Sequence, residues 1–153
     1  YLKGTPIVPI LCGGIHEFIA ARQNPLGDDR FLGFVETIRE QARLRGKVLF
    51  VAGVDLSHVG LKFGDGVPAE SILARAQAND RLILDLLLAG DGRAIYENAA
   101  GTRDQYKVCG FPALVLMAEL MAGKKGILLD YESYREAATS SAVTYASALF
   151  TDP

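Results

Sequence analysis

Three side chains capable of chemistry leave one short stretch, Gly53-Val54-Asp55-Leu56-Ser57-His58, directly after the apolar run Val48 to Ala52. In open α/β sheets, ligands bind where strands end at their carboxyl side. A carboxylate, a hydroxyl and an imidazole within four positions fit such a place. Asp55 could orient or ionise His58, His58 could bind a metal or move protons, and Ser57 could donate to a substrate oxygen. A plainer arrangement uses the same residues, with Asp55 and Ser57 bonding loop amides and His58 satisfied inside the loop.

The second candidate is Tyr106-Lys107-Val108-Cys109-Gly110-Phe111-Pro112, where Cys109 precedes an apolar helical stretch. A cysteine at a helix N-terminus makes a good thiolate ligand or nucleophile, whereas at a tight turn it serves as a small hydrophobe. Cys12 continues a strand-like run and reads as the small hydrophobe. His16, after Gly13-Gly14 and before Glu17-Phe18, is a candidate for substrate binding beside the sheet, or is simply exposed. His16 and His58 are the chain's two histidines, so a self-contained metal or acid/base site has few donors to draw on.

Positioning these residues requires strands and helices in alternation. Ile7-Val8-Pro9-Ile10-Leu11 is a short β-branched run ended by glycines, although Pro9 argues against a central place in a ladder. Asp28 or Asp29 can cap a helix from about Arg30 to Arg45, stopped by Gly46. Val48-Leu49-Phe50-Val51-Ala52 is apolar on both faces, as in a strand covered on both sides, usually within a parallel sheet. Pro68 opens a helical stretch through about Leu88, closed by Gly90, and a shorter helix around Gly92 to Ala99 follows. Phe111 to Met121 has the composition of a buried helix capped by Gly123. Ile127 to Tyr131 and Ala142 to Ala148 read as strands. The predicted class is α/β, a three-layer α/β/α sandwich with a mostly parallel central sheet, built as a single domain over residues 1–153.

Composition narrows the function classes. With 153 residues, 50% of them hydrophobic, the chain can bury a full core, which excludes a disordered or fibrous protein. Sixteen Lys+Arg against 18 Asp+Glu give a net charge of −2, so no basic footprint for nucleic acid is expected. No apolar stretch approaches the roughly 18 residues of a membrane span. Two cysteines do not make a disulfide framework, and a cytoplasmic setting is expected.

The stretches Ile7 to Leu11, Val54-Asp55-Leu56-Ser57-His58-Val59-Gly60, Val108-Cys109-Gly110-Phe111 and Val143 to Ala148 stand in the order seen in the MEMO-like family, whose microbial members are called AmmeMemoRadiSam system protein B. The chain resembles that family over nearly its whole length. The resemblance implies a fold like that of class III extradiol dioxygenases, with a metal in a cleft at the edge of the central sheet. The family's ligands are two histidines from the first half of the domain and a cysteine from the second, with a D-x-x-H motif nearby. Carried over, Cys109 is the metal ligand and Asp55 and His58 are the neighbouring acid/base pair, while the two first-half histidines have no counterpart here. The chain then corresponds to the C-terminal portion of a larger MEMO-like domain. On its own it is expected to bind an iron, copper or zinc ion poorly, and apolar residues are expected on an exposed face.

Two functions follow as expectations. One is metal-dependent redox or oxygen-using chemistry on a small molecule, with radical-SAM and AMMECR-type protein partners implied by the family. The other is a non-enzymatic module that uses the same cleft for a peptide or protein.

Overall fold

A computed structural model describes residues 4–152, with the side chains of 15 and 16 left aside. Five α-helices occur in it: α1 (Ile15–Ala21), α2 (Asp29–Arg45), α3 (Leu73–Leu88), α4 (Gly92–Thr102) and α5 (Phe111–Leu120). Three strands accompany them, β1 (His58–Gly60), β2 (Lys125–Glu136) and β3 (Ser141–Thr151). Local sequence sets several boundaries. Asp28 accepts the backbone N–H groups of Arg30 and Phe31 at the start of α2, and Gly46 ends that helix with φ +80°. Asp91 caps α4 by accepting from the Ala94 N–H. Among the described residues no helix is long and apolar enough to cross a membrane.

The main core lies among α3, α4 and α5, around the fully buried Ile83, Ile95, Phe111, Val115 and Ala118. Leu128 and Tyr131 of β2 and Ala146 and Phe150 of β3 pack against it. Period-two alternation then turns Ile127, Leu129 and Leu149 outward, where they are exposed. A smaller cluster of Val59, Ala69, Leu73, Ala76 and Ala142 holds β1 and the start of α3 to the start of β3.

The sheet corrects the sequence-based expectation. Its order is β1-β3-β2 and every pairing is antiparallel, with His58 opposite Val143 and Lys125 opposite Thr151. No parallel central sheet is present among the described residues, and the layers seen are helices on one sheet rather than a three-layer sandwich. Segments 7–11 and 48–52, expected as strands, join no ladder. Their apolar side chains stand open, Val8 at 81%, Leu49 at 72% and Val51 at 76% exposure. Composition gave these segments a preference for extended backbone, but a ladder also needs a neighbouring edge. Residues Leu56 to Gly60 meet β3, whereas the segment before them diverges from it. The opening is a groove of about 900 Å³ between Val48–Val54 and Ala146–Asp152, floored by Leu84, Leu87, Leu114 and Met117.

Candidate metal centre

The loop after segment 48–54 is held on both sides. Toward β3, the Leu56 N–H donates to the Thr144 carbonyl at 2.9 Å and the Thr144 N–H to the Ser57 carbonyl at 3.0 Å. Toward the loop before α5, the Gly110 N–H donates to the Asp55 carbonyl at 3.2 Å and the His58 N–H to the Tyr106 carbonyl at 2.8 Å. Two segments well separated in sequence are thus zipped by their backbones. This is why Asp55 and His58 on one, and Cys109 on the other, face a common point. One ligand atom from each of the three lies within 4.8 Å of the others.

His58 is the best-fixed member. Its Nδ1 lies 3.0 Å from the Leu56 carbonyl and 3.2 Å from the Lys107 carbonyl. In the neutral ring, a nitrogen facing two carbonyl acceptors carries the hydrogen, and the lone pair is then on Nε2. That Nε2 lies 3.8 Å from Asp55 Oδ2. Phe63 closes the ring's flank edge-on at 5.0 Å between centroids. Lys107 takes a left-handed backbone, φ +51°, to aim its carbonyl here, and its ammonium group is tied to Asp65 at 2.6 Å. Asp55 and Cys109 are exposed, so the group opens to solvent.

Imidazole nitrogen, thiolate sulfur and carboxylate oxygen form a donor set suited to zinc, iron or copper. With metal–ligand bonds of about 2.0–2.3 Å, tetrahedral ligands stand ~3.5 Å apart. A spread of up to 4.8 Å asks for a small inward movement of the exposed Asp55 or Cys109. Asp55 is therefore a third donor in reach, where the sequence counted Cys109 as ligand and Asp55 with His58 as its neighbours.

The serine of this loop is engaged elsewhere. Ser57, read as a donor to substrate, is fully buried and gives its hydroxyl hydrogen to Asp80 Oδ1 at 2.6 Å. The side chain of His16 lies outside the described residues. Cys12 is half-buried, burial pushes its thiol pKa up, and it lines with Cys109 a second pocket of about 310 Å³.

The sequence carries a signal for one further residue, Asp80, that the motif spacing does not single out. Leu73, Ala76, Asp80, Ile83, Leu84 and Leu87 form the buried stripe of α3, and Asp80 is the one acid in it. Thr144 and Tyr131 both donate to its Oδ2 at 2.7 Å. Burial raises the Tyr131 pKa well above the usual tyrosine range, reinforced by the hydrogen bond to Asp80 and that residue's charge. A raised folded-state pKa contributes stability that is complete below the unfolded value near ~10 and is lost as pH rises through the folded value. Ultraviolet titration of wild type against Tyr131→Phe should therefore show one phenol ionising late, together with unfolding at high pH. A wild-type titration with every phenol ionising at the ordinary value would contradict the buried Tyr131–Asp80 bond.

A family model described as Memo-like protein matches residues 26–149. A MEMO1 family protein of Aquifex aeolicus (strain VF5) is 30% identical over 105 residues, covering 67% of this chain and 27% of that protein. The chain spans about a quarter of the length of this curated relative. No solved structure matches.

Proposed function

The chain belongs to the Memo-like protein family, and from that premise we propose that it carries part of a metal-centred cleft. The chemistry would be redox or oxygen-using, on a small molecule. The observation that supports this reading is the convergence of Asp55, His58 and Cys109 ligand atoms within 4.8 Å. His58 Nε2 and Cys109 Sγ are the donors that would hold an iron, copper or zinc ion, with Asp55 either completing the set or exchanging a proton with bound substrate. The ion would supply charge stabilisation and, if iron or copper, a site for electron transfer.

Asp55 is the residue best placed to handle a proton, since its carboxylate is exposed and stands beside Nε2. Phe63 packs nearly perpendicular to the imidazole, 5.0 Å between centroids, and helps hold the ring in place. Further donors would come from the rest of a longer Memo-like protein, for which the groove beside Val48–Val54 is the seat we infer. Radical-SAM and AMMECR-type partners and a cytoplasmic setting belong to the same reading.

The test is to load the full-length protein with iron(II), copper(I) or zinc in separate samples and measure bound metal and oxygen uptake. Stoichiometric binding, with oxygen uptake in the iron or copper sample, is expected. Metal-free protein that captures a peptide or protein at full strength, with no uptake in any sample, would favour the non-enzymatic binding module instead.

A further inference from the structure

We propose that Asp80 is a positioning residue of this centre. Acting through Ser57, its carboxylate fixes the loop that presents Asp55 and His58, and so keeps the lone pair of His58 on Nε2. The proposal deepens the metal-centre reading and rests on it for its consequence, though not for its geometry.

Asp80 lies on α3, is fully buried, and accepts three hydroxyls from three other segments. Ser57 comes from the site loop, Thr144 from β3 and Tyr131 from β2. Ser57 is bound to this carboxylate twice over. Its hydroxyl donates to Oδ1 directly, and its backbone N–H donates at 2.8 Å to the Thr144 hydroxyl, which in turn donates to Oδ2. The residue on one side of Ser57 supplies the Leu56 carbonyl, and the residue on the other is the His58 ring that donates to it. Fixing Ser57 therefore fixes donor and acceptor of the shorter of the two Nδ1 contacts that select the tautomer, the other being to the Lys107 carbonyl.

Packing alone does not explain the acid. Its neighbours along the stripe are aliphatic, and well-packed apolar replacements of buried charged groups are often as stable or more so. A buried carboxylate whose partners are all neutral hydroxyls orders three segments relative to one another, which an aliphatic side chain would not do. Residues that orient metal-binding histidines commonly change metal affinity by about 10–100-fold when removed.

The experiment compares full-length wild type with Ser57→Ala and Tyr131→Phe. Each substitution removes one donor to Asp80, the first from the site loop and the second from β2, remote from His58. Two readouts are taken: the His58 ring tautomer in metal-free protein, by long-range nitrogen–proton correlation, and cobalt(II) affinity as a metal probe. Wild type and Tyr131→Phe should hold the Nδ1–H tautomer and bind cobalt(II) within about twofold of each other. Ser57→Ala should populate both tautomers and bind at least about tenfold more weakly, even where Tyr131→Phe lowers the melting temperature as much. A single Nδ1–H tautomer in Ser57→Ala, or losses in both variants that merely follow melting temperature, would overturn the proposal. Wild-type protein that binds no cobalt(II) would overturn the metal-centre reading instead, and the tautomer comparison would still decide the role of Asp80.

Discussion

Replacing Cys109 by Ala should leave the fold intact and lower metal affinity by about 100-fold or more. The side chain is exposed, and its Sγ lies 4.0 Å from the Asp55 carbonyl oxygen. Little packing is lost, so stability should change by no more than about 0.5 kcal/mol. The donor set loses its one soft ligand, and that is a different order of effect. Cobalt(II) makes the loss visible, because sulfur-to-metal charge transfer gives an absorption that nitrogen and oxygen ligands do not. The band should be present in wild type, absent in Cys109→Ala, and retained in Cys12→Ala, whose thiol lines the neighbouring pocket. Equal metal content in wild type and Cys109→Ala, with the band unchanged, would remove Cys109 from the site.

How much of this was visible in the sequence depends on whether the cause is local. The caps at Asp28 and Gly46, the buried helix from Phe111 and the two C-terminal strands follow from nearest-neighbour chemistry, and they form as expected. No parallel sheet forms among the described residues: an apolar run states a need for burial without naming the edge that will meet it. Segment 48–54 shows this: Val54 and the following Leu56 reach the core while Leu49 and Val51 remain in the open. Asp55, His58 and Cys109 were legible as candidates from their places at a strand-like end and a helix start, and the family resemblance is what singled out Cys109 as a metal ligand. The fate of Ser57 was not, since a serine that donates to substrate and one that donates to a buried carboxylate look alike until α3 is placed behind it. The acid on the apolar stripe of that helix was the available clue.

Gly110 shows how closely the two halves of the site approach, and Gly110→Ala should damage both stability and metal binding. Its backbone, φ −76° and ψ −7°, is one that alanine adopts freely. On conformational entropy alone the substitution would stabilise by ~0.4–1 kcal/mol. The new methyl, however, would lie 2.6 Å from the Asp55 carbonyl oxygen, 2.6 Å from Val54 Cβ and 2.7 Å from Val54 Cγ2. None of these is the end of a flexible chain: one is backbone, and the others belong to a β-branched side chain with little rotamer freedom. The segment 53–55 must therefore back away. In doing so it stretches the Gly110–Asp55 hydrogen bond of 3.2 Å and carries the Asp55 carboxylate from Cys109. Overpacking of this kind costs about 1–3 kcal/mol, or roughly 2–12 °C in melting temperature for a chain of this size. Gly101→Ala in α4 is the control, because nothing lies within 4 Å of the added methyl there. It should be neutral or stabilising by up to ~1 kcal/mol and leave metal affinity alone. Adding Val54→Ala to Gly110→Ala relieves the Cγ2 contact and leaves the contacts with Asp55 O and Cβ in place, so rescue should be partial. Full metal affinity in Gly110→Ala would mean that the spacing of Asp55 and Cys109 is set by something other than this backbone contact.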